Sequence, residues 1–228
     1  MFAAAAAVAP PPMATDPRNN PVPGDGQITH GVAKPWPGDG NALVAGVDEV
    51  GRGALFGPVV AAAVILSGSA ALELQRLGVT DSKRLSPGRR IKLVDPIHAL
   101  ATDYGIGWAS VHDIERLNIL QASLLAMNRA IHRLSPPPSL CLVDGNQPIP
   151  HLAIPQQTVI QGDQSHTEIA AASILAKVWR DQLMVRLDQR YPGYGIAQHK
   201  GYGSAEHRQA IQNLGPTRQH RQSFRGCH

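Results

Sequence analysis

Four acidic side chains stand where apolar segments of this sequence give way to turns: Asp48, Glu49, Asp144 and Asp163. The first pair follows the apolar run 43–47, and Asp144 follows the run 140–143. A carboxylate at such a place is costly unless it is paired, hydrogen-bonded or bound to a cation. If the carboxyl ends of neighbouring strands gather these acids, they would suit a hard cation such as Mg²⁺ or Mn²⁺. The alternative is that each acid only opens a turn or caps a helix, as Asp-Gly at Asp144-Gly145 often does.

The adjacent acids Asp48 and Glu49 pose a geometric problem for a shared site. Neighbouring residues of a regular strand point to opposite faces of the sheet. The two side chains can therefore meet at one cation only if the strand bends or bulges at this point. Gly46 and Gly51 would permit such a distortion.

Hydrophobic periodicity and turn residues outline the elements that must position these acids. The pattern predicts strands over 43–50, 57–66, 104–111, 140–143 and 158–160. It predicts helices over 70–77, 86–101, 118–134, 167–190 and 204–213. Ser86-Pro87 is typical of a helix start, and Pro96 predicts a kink or an early stop. This order of elements indicates an α/β domain, with a mixed central sheet flanked by helices and a C-terminal helical segment.

Composition excludes several other classes of protein. The chain has 228 residues, 43% hydrophobic and 17% charged, which suits one globular domain. No apolar run reaches the roughly 18 residues of a membrane helix, and two cysteines do not make a disulfide framework. The formal net charge is +4, and from Gln198 onward five bases accompany a single acid. This excess favours a polyanionic partner, although a solvated basic face would have the same composition.

Residues 1–42 differ from the rest of the chain. They contain eight prolines, five glycines and an alanine run, without apolar periodicity, so we expect a disordered extension. The first basic residue is Arg18, so the opening lacks the charged start of a signal peptide, and we expect a cytoplasmic protein. Either Met1 or Met13 is compatible with a start of translation. We expect residues 43–228 to form the folded domain.

The segment Ala45–Gly53, with 57–62 after it, resembles the opening signature of the ribonuclease HII family, the type 2 ribonucleases H. Further segments agree with that family in the same order: 81–86, 117–127, 143–146, 162–181, 194–207 and 220–224. The resemblance runs from about Leu43 to Phe224 and rests on several separate motifs. A lone Asp-Glu-x-Gly-Arg-Gly would be much weaker evidence.

This resemblance implies a ribonuclease H-like fold and a metal-dependent endonuclease. Its substrates would be RNA–DNA hybrids and DNA duplexes that hold a ribonucleotide, cut on that nucleotide's 5′ side to leave 3′-hydroxyl and 5′-phosphate ends. The four acids named above fall on the family's catalytic and metal-binding positions, with Mn²⁺ or Mg²⁺ as cofactor. The turn Gly51-Arg52-Gly53 falls on the segment that reads the 2′-hydroxyl, and Tyr202 on the tyrosine that packs on the adjoining deoxyribose. We expect a monomer that acts away from membranes.

Four basic residues are candidate phosphate contacts that would position the duplex without reading its sequence: Lys83, Lys177, Arg180 and Lys200. For Lys177 and Arg180 a solvated salt bridge on the outer face of a helix is the alternative. His199 is compatible with proton transfer or with a phosphate contact. Ser173 is compatible with close helix packing alone.

Some positions depart from the family pattern, and two other functions stay open. Gln161 stands where the family usually has lysine, and 164–167 lack a usual basic residue, so one positive charge is missing near Asp163. A different nuclease of the same fold would cut without a 2′-hydroxyl. A non-catalytic hybrid-binding module would not cut at all, but it would have no reason to retain all four acids.

Overall fold

A five-stranded mixed sheet organises the chain in the computed structural model, which describes residues 43–227. Its strands are β1 (Val44–Val50), β2 (Val59–Leu66), β3 (Asp103–Ala109), β4 (Leu140–Asp144) and β5 (Gln156–Val159). They lie in the order β3-β2-β1-β4-β5. β1 pairs antiparallel with β2 and parallel with β4, so the sheet is mixed as predicted. The carboxyl ends of β1 and β4 therefore meet at the same edge.

Eight helices accompany the sheet in the described part of the chain. They are α1 (Gly68–Arg76), α2 (Pro87–Leu100), α3 (Val111–Leu117), α4 (Ile119–Ile131), α5 (Gly162–Ser165), α6 (Thr167–Arg190), α7 (Ile196–His199) and α8 (Ala205–Leu214). A short 3-10 turn over Ser82–Arg84 precedes α2. None of the helices within 43–227 has the length and apolar character needed to cross a bilayer.

Helices cover both faces of the sheet, and β2 shows this most directly because all eight of its residues are buried. The odd-numbered residues of β2, such as Ala61 and Ile65, belong to a core shared with α4. The even-numbered ones, such as Ala62 and Val64, belong to a second core shared with α1, α2 and α6. A strand buried on both faces needs a continuous apolar sequence, which explains the run of valine, alanine and isoleucine.

Local sequence accounts for most helix boundaries. The Ser86 side chain accepts a hydrogen bond from the N–H of Arg89 and caps α2. Contrary to one prediction, Pro96 does not stop this helix, which continues to Leu100. The strand expected to reach Val111 ends at Ala109, because Ser110 and Asp113 form a capping box that starts α3 there.

The C-terminal helical segment packs on the distal half of α6 around a third core. This core includes Phe56, Met184, Ile196, Ile211 and Cys227. It joins the segment after β1 to α7 and α8. The loop that follows β1 therefore packs against the last described residues. The predicted disordered extension, residues 1–42, lies outside the described residues.

Candidate active site

The four acids identified from the sequence lie at one edge of the sheet. Asp48 and Glu49 are near the end of β1, Asp144 is the last residue of β4, and Asp163 is in the first turn of α5. The parallel register of Val47 with Val143 sets Asp144 beside Asp48. The N–H of Gly162 donates to Oδ1 of Asp144 at 2.8 Å, which ties α5 to β4. Topology thus gathers residues that are more than 100 positions apart in the sequence.

Asp48 is buried, since only 5% of its surface is exposed. Its Oδ1 accepts the N–H of Glu49 at 2.7 Å. Burial raises the pKa of Asp48 well above its ordinary value, and the charges of Glu49 and Asp144 raise it further. The nearby hydroxyl of Ser173 on α6 and the N–H of Glu49 favour the charged form but do not offset burial and repulsion. Ser173, expected at most to allow close packing, therefore lies close to the site, with its Oγ 2.9 Å from Oγ of Ser82.

Glu49 is held by the turn that follows it. Its Oε1 accepts from Nη1 of Arg52 at 3.2 Å. Burial raises the pKa of Glu49, with opposition from Arg52 and reinforcement from Asp144. The strand does not bulge here, because pairing with β2 continues in register through Asp48, Glu49 and Val50. The two carboxylates still influence each other, since the charge of Glu49 raises the pKa of Asp48. Asp144, at the end of the neighbouring strand, raises the pKa of both.

Asp163 is buried, and the long side chain of one lysine, Lys83, reaches it. Nζ of Lys83 lies 3.4 Å from its Oδ2, although the Lys83 side chain is 80% exposed. Burial raises the pKa of Asp163, and Lys83 only partly opposes this effect. Gln161, at the position where a lysine was expected, is exposed and has a left-handed backbone with φ of 55°. The local positive charge near Asp163 therefore comes from Lys83.

The donor chemistry of this edge fits a hard divalent cation. The four groups are carboxylates, and three of them have a raised pKa, which marks negative charge in need of compensation. Within residues 43–227, no three histidine, cysteine, aspartate or glutamate side chains are arranged as a group that could hold a metal ion by themselves. Mg²⁺ usually keeps several waters and is bound by one or two carboxylates together with substrate phosphates. Asp48, Glu49, Asp144 and Asp163 would hold such ions.

The predicted 2′-hydroxyl-reading turn and the predicted sugar-packing tyrosine lie together. Ala54, next to Gly51-Arg52-Gly53, forms a β-bridge with Tyr202, and the N–H of Leu55 donates to the carbonyl of Gly201 at 2.8 Å. Gly51 has φ of 92°, and a Cβ there would overlap Nε of Arg180. Glycine is thus required both by the backbone and by the arginine beneath the turn.

Arg180 does not lie where a phosphate contact requires. It is fully buried, with 0% of its surface exposed. Its guanidinium donates to the carbonyls of Pro58, Phe56 and Lys200 at 3.2, 3.1 and 2.9 Å. The prediction of a phosphate contact is therefore wrong, and so is the solvated alternative. The helical pattern misleads here because α6 is covered on its outer side by the C-terminal segment.

The other three basic candidates have distinct environments. Lys83 reaches the acids from solvent, as described above. Lys177 pairs with Asp181 at 2.8 Å, and its Nζ lies 5.8 Å from the centroid of the Tyr202 ring. Lys200 is partly buried, and its Nζ donates to the carbonyl of Ala197. Lys177 and Lys200 thus flank Tyr202, whereas Lys83 lies near Asp163.

Sequence reasoning missed the role of Arg221 and left the role of His199 open. Arg221 is fully buried and donates to the carbonyls of Gly57 and Arg52 at 3.0 and 2.7 Å, so it supports the turn from below. Its position in the motif 220–224 was the only available indication. His199 uses both ring nitrogens, since Nε2 donates to the carbonyl of Tyr194 and Nδ1 accepts the N–H of Gly201. Neither nitrogen is left for proton transfer.

Comparisons with known proteins agree with this geometry. Residues 45–227 match the family model described as Ribonuclease HII. The chain is 67% identical over 189 residues to a ribonuclease HII of Acaryochloris marina, covering 83% of this chain and 96% of the relative. It is 63% identical over 188 residues to one of Synechococcus elongatus, covering 82% and 87%.

Solved structures show the same architecture. The chain is similar to the crystal structure of ribonuclease H2 from Pyrococcus horikoshii, with a TM-score of 0.68, 26% identity, and coverage of 81% of this chain and 95% of that one. It is also similar in fold to a Bst ribonuclease HIII in complex with Mn²⁺, with a TM-score of 0.65, 18% identity and coverage of 82% and 68%. The ribonuclease H-like fold expected from the sequence is thereby confirmed.

Proposed function

Because the chain belongs to the ribonuclease HII family, and is thus a nuclease of the ribonuclease H type that acts on RNA–DNA hybrids, we propose that it also nicks DNA duplexes 5′ of an embedded ribonucleotide. The products would carry 3′-hydroxyl and 5′-phosphate ends. The observation that carries this proposal is the meeting of four carboxylates with the turn 51–53 and Tyr202 on one side of the molecule.

We propose hydrolysis supported by two divalent ions, Mg²⁺ or Mn²⁺, held by the four carboxylates. When bound, such ions lower the pKa of the attacking water and neutralise the leaving 3′ oxygen. Asp48 and Asp144, at the ends of adjacent parallel strands, would supply two of the ligands. Glu49 and Asp163 would supply the other two, and each already contacts one cation, Arg52 and Lys83 respectively. Ser173 lies close enough to Asp48 to favour its charged form.

Recognition of ribose would depend on the turn 51–53. The 2′-hydroxyl is both a donor and an acceptor and is absent from DNA. Glycines at 51 and 53 allow a backbone to approach that group closely, and a Cβ at Gly53 would meet open space. Arg180 and Arg221 hold the carbonyls beneath this turn, so its outward groups are pre-organised.

Tyr202 would provide a flat face for the deoxyribose that follows the ribonucleotide. Lys177 lies 5.8 Å and the Arg180 guanidinium 5.5 Å from its ring centroid, so cation–π contacts fix the ring. Lys83, Lys177 and Lys200 remain the proposed phosphate contacts. We expect the enzyme to act as a monomer in the cytoplasm.

The test is a labelled DNA duplex carrying one ribonucleotide, with an all-DNA duplex as control, in Mg²⁺, Mn²⁺ or EDTA. We expect a metal-dependent nick 5′ of the ribonucleotide that is absent from the control and from Asp48→Asn. Cleavage of a long hybrid without a nick at the single ribonucleotide would contradict the proposed specificity. Cleavage of the all-DNA duplex would contradict recognition of the 2′-hydroxyl.

A further inference from the structure

Two buried histidines, His207 and His220, form a hydrogen-bonded pair behind Tyr202, and the proposed reaction does not use them. The rings meet through their Nε2 atoms at 3.2 Å. On the far side of His207, Nδ1 lies 2.9 Å from the carbonyl oxygen of Tyr202. On the far side of His220, Nδ1 lies 2.9 Å from the N of Thr217. The pair therefore connects the loop before α8 to the loop after it through side chains alone.

The partners of this pair determine where its protons lie. The carbonyl of Tyr202 can only accept, so Nδ1 of His207 carries a proton. The N–H of Thr217 can only donate to Nδ1 of His220. The Thr217 hydroxyl, 3.0 Å from the same nitrogen, accepts the N–H of Gln219 through its oxygen and can donate its own proton to Nδ1. Nδ1 of His220 therefore carries no proton, and the single proton of the ring is on Nε2. That Nε2–H donates to the bare Nε2 of His207. A second proton on either ring would place two donors face to face, so the network holds only when both rings are neutral.

This pair also touches the segment that follows the 51–53 turn. Phe56 forms a β-bridge with His220, and their rings lie edge to face with centroids 5.0 Å apart. Ala54 forms a β-bridge with Tyr202. The histidine pair therefore lies next to both parts of the proposed ribose-recognition surface. His220 contacts the segment that follows the turn, and His207 contacts Tyr202.

We propose that His207 and His220 are positioning residues for Tyr202, whose carbonyl they hold as a neutral pair so that its ring presents one fixed face to the substrate. The inference rests on the proposed function, because it assumes that Tyr202 packs on the substrate. His199 reinforces the arrangement, since its ring stacks on that of His207 with centroids 4.3 Å apart.

The surroundings of the pair favour the neutral rings. Burial lowers the pKa of both histidines, and the proximity of each to another imidazole lowers it further, to about 4 for His220. Other titratable or charged groups lie around the pair: His199, Tyr194, Glu206, Arg221 and Cys227. Of these, Glu206 is at the exposed start of α8, where hydrogen bonds to its own N–H and to Ser204 lower its pKa, with a smaller contribution from His199.

The first test observes the protons directly in the full-length wild-type protein. Long-range ¹⁵N–¹H correlation spectra of ¹⁵N-histidine protein distinguish Nδ1–H from Nε2–H tautomers. We expect one Nδ1–H ring, assigned by its loss in His207→Asn, and one Nε2–H ring, assigned by its loss in His220→Gln. Both should stay neutral at pH 5. Tautomer averaging, or ordinary titration near pH 6.5, would overturn the proposal whatever the substrate is.

The second test is kinetic and compares His207→Leu with His207→Asn, whose amide nitrogen can replace Nδ1 as donor to Tyr202. On the single-ribonucleotide duplex, we expect the leucine variant to raise KM about tenfold, the scale of one lost hydrogen bond, with kcat within about twofold. The asparagine variant should recover most of this loss. His98→Leu, at another histidine stacked on a tyrosine, is the matched control and should leave KM unchanged.

The outcomes separate this proposal from the proposed function. If wild-type enzyme cuts the single-ribonucleotide duplex and His207→Leu, folded by circular dichroism, keeps its KM, the positioning role is wrong. An equal loss in the leucine and asparagine variants would also overturn it. If wild-type enzyme cuts only long hybrids, the proposed specificity fails, while the tautomer spectra still decide whether the histidine pair exists.

Discussion

Burial and like charge act on the same carboxyl group at Asp48. Ser173, the N–H of Glu49 and the charge of Lys83 stabilise its charged form, whereas the charges of Glu49 and Asp144 oppose it. A raised pKa means that the folded state binds its proton more tightly than the unfolded state does. The stabilisation that this provides is present at low pH and is lost as pH rises through the raised pKa. Without a cation, the site therefore weakens the fold at neutral pH.

We predict that Asp48→Asn stabilises the metal-free protein while it removes activity. Asparagine keeps the hydrogen-bonding shape without the charge, and each unit of raised pKa corresponds to about 1.4 kcal/mol. In EDTA at pH 7, the free energy of unfolding by urea should increase by on the order of 1 kcal/mol. Cleavage should fall at least about a hundredfold. Asp95→Asn, at an exposed carboxylate on α2, is the control, and an unstabilised Asp48→Asn would contradict the charge argument.

Lys83 gives a second prediction at this scale. Its ammonium group lies 3.4 Å from Asp163 and competes there with any metal ion. In Lys83→Met, the half-saturating Mg²⁺ concentration should decrease roughly two- to fivefold, the scale of a partly exposed ion pair. The KM for substrate should increase, because a proposed phosphate contact is lost. A higher Mg²⁺ requirement would mean instead that Lys83 organises Asp163 for the metal.

The four acids could be predicted from the sequence because each ends an apolar segment, and sheet topology does bring such ends together. The burial of Arg180 could not be predicted, because helical periodicity identifies one buried face of α6 and does not show whether the other face is also covered. That face is covered by residues 191–227, whose packing follows from tertiary contacts. Arg221 and the histidine pair belong to the same segment, and their contacts could not be predicted from local sequence patterns for the same reason.

At the scale of elements, the approach of α6 to β1 sets the geometry of the site. Gly46 faces the first turn of α6, where a Cβ would overlap the backbone of Glu168. This close approach brings Ser173, about one and a half turns further along α6, close to Asp48. Helix starts such as Ser86 and Ser204 could be predicted from the sequence because capping is local. The contact at Gly46 is not local, and its need for glycine is evident only in the fold.

We predict that Gly46→Ala destabilises the protein by about 3 kcal/mol, the upper range for overpacking against backbone that cannot yield. The measurement is urea unfolding with an unchanged m-value. Cleavage should also decrease, since a displaced α6 carries Ser173 away from Asp48. Gly88→Ala on α2 is the matched control, because a Cβ there meets nothing within 4 Å, and it should be neutral or stabilising. Equal effects at both positions would contradict this reading of α6.

At the scale of the whole molecule, the proposed site combines residues of the central sheet with residues of the C-terminal segment. The acids lie on the sheet, which α4 and α6 cover, whereas the support for Tyr202 comes from α7, α8 and the last residues. These two parts carry buried titratable groups of opposite kind. The acids bind protons more tightly on folding, and His207 and His220 bind them less tightly. Their contributions to stability must therefore change in opposite directions with pH.

The histidine contribution can be isolated with the double variant His207→Asn/His220→Gln. The folded pKa of His220 is lowered to about 4, against an ordinary 6.5, so the unfolded state takes up the proton first as pH falls. Stability that the pair provides at pH 7 should decline between pH 6.5 and 4, by about 3 kcal/mol from His220 alone. The carboxylates are common to both proteins, so the difference in their free energies of unfolding across that range reports the histidines. A difference that does not vary with pH would mean that the rings are already charged, or accessible to water, in the folded protein.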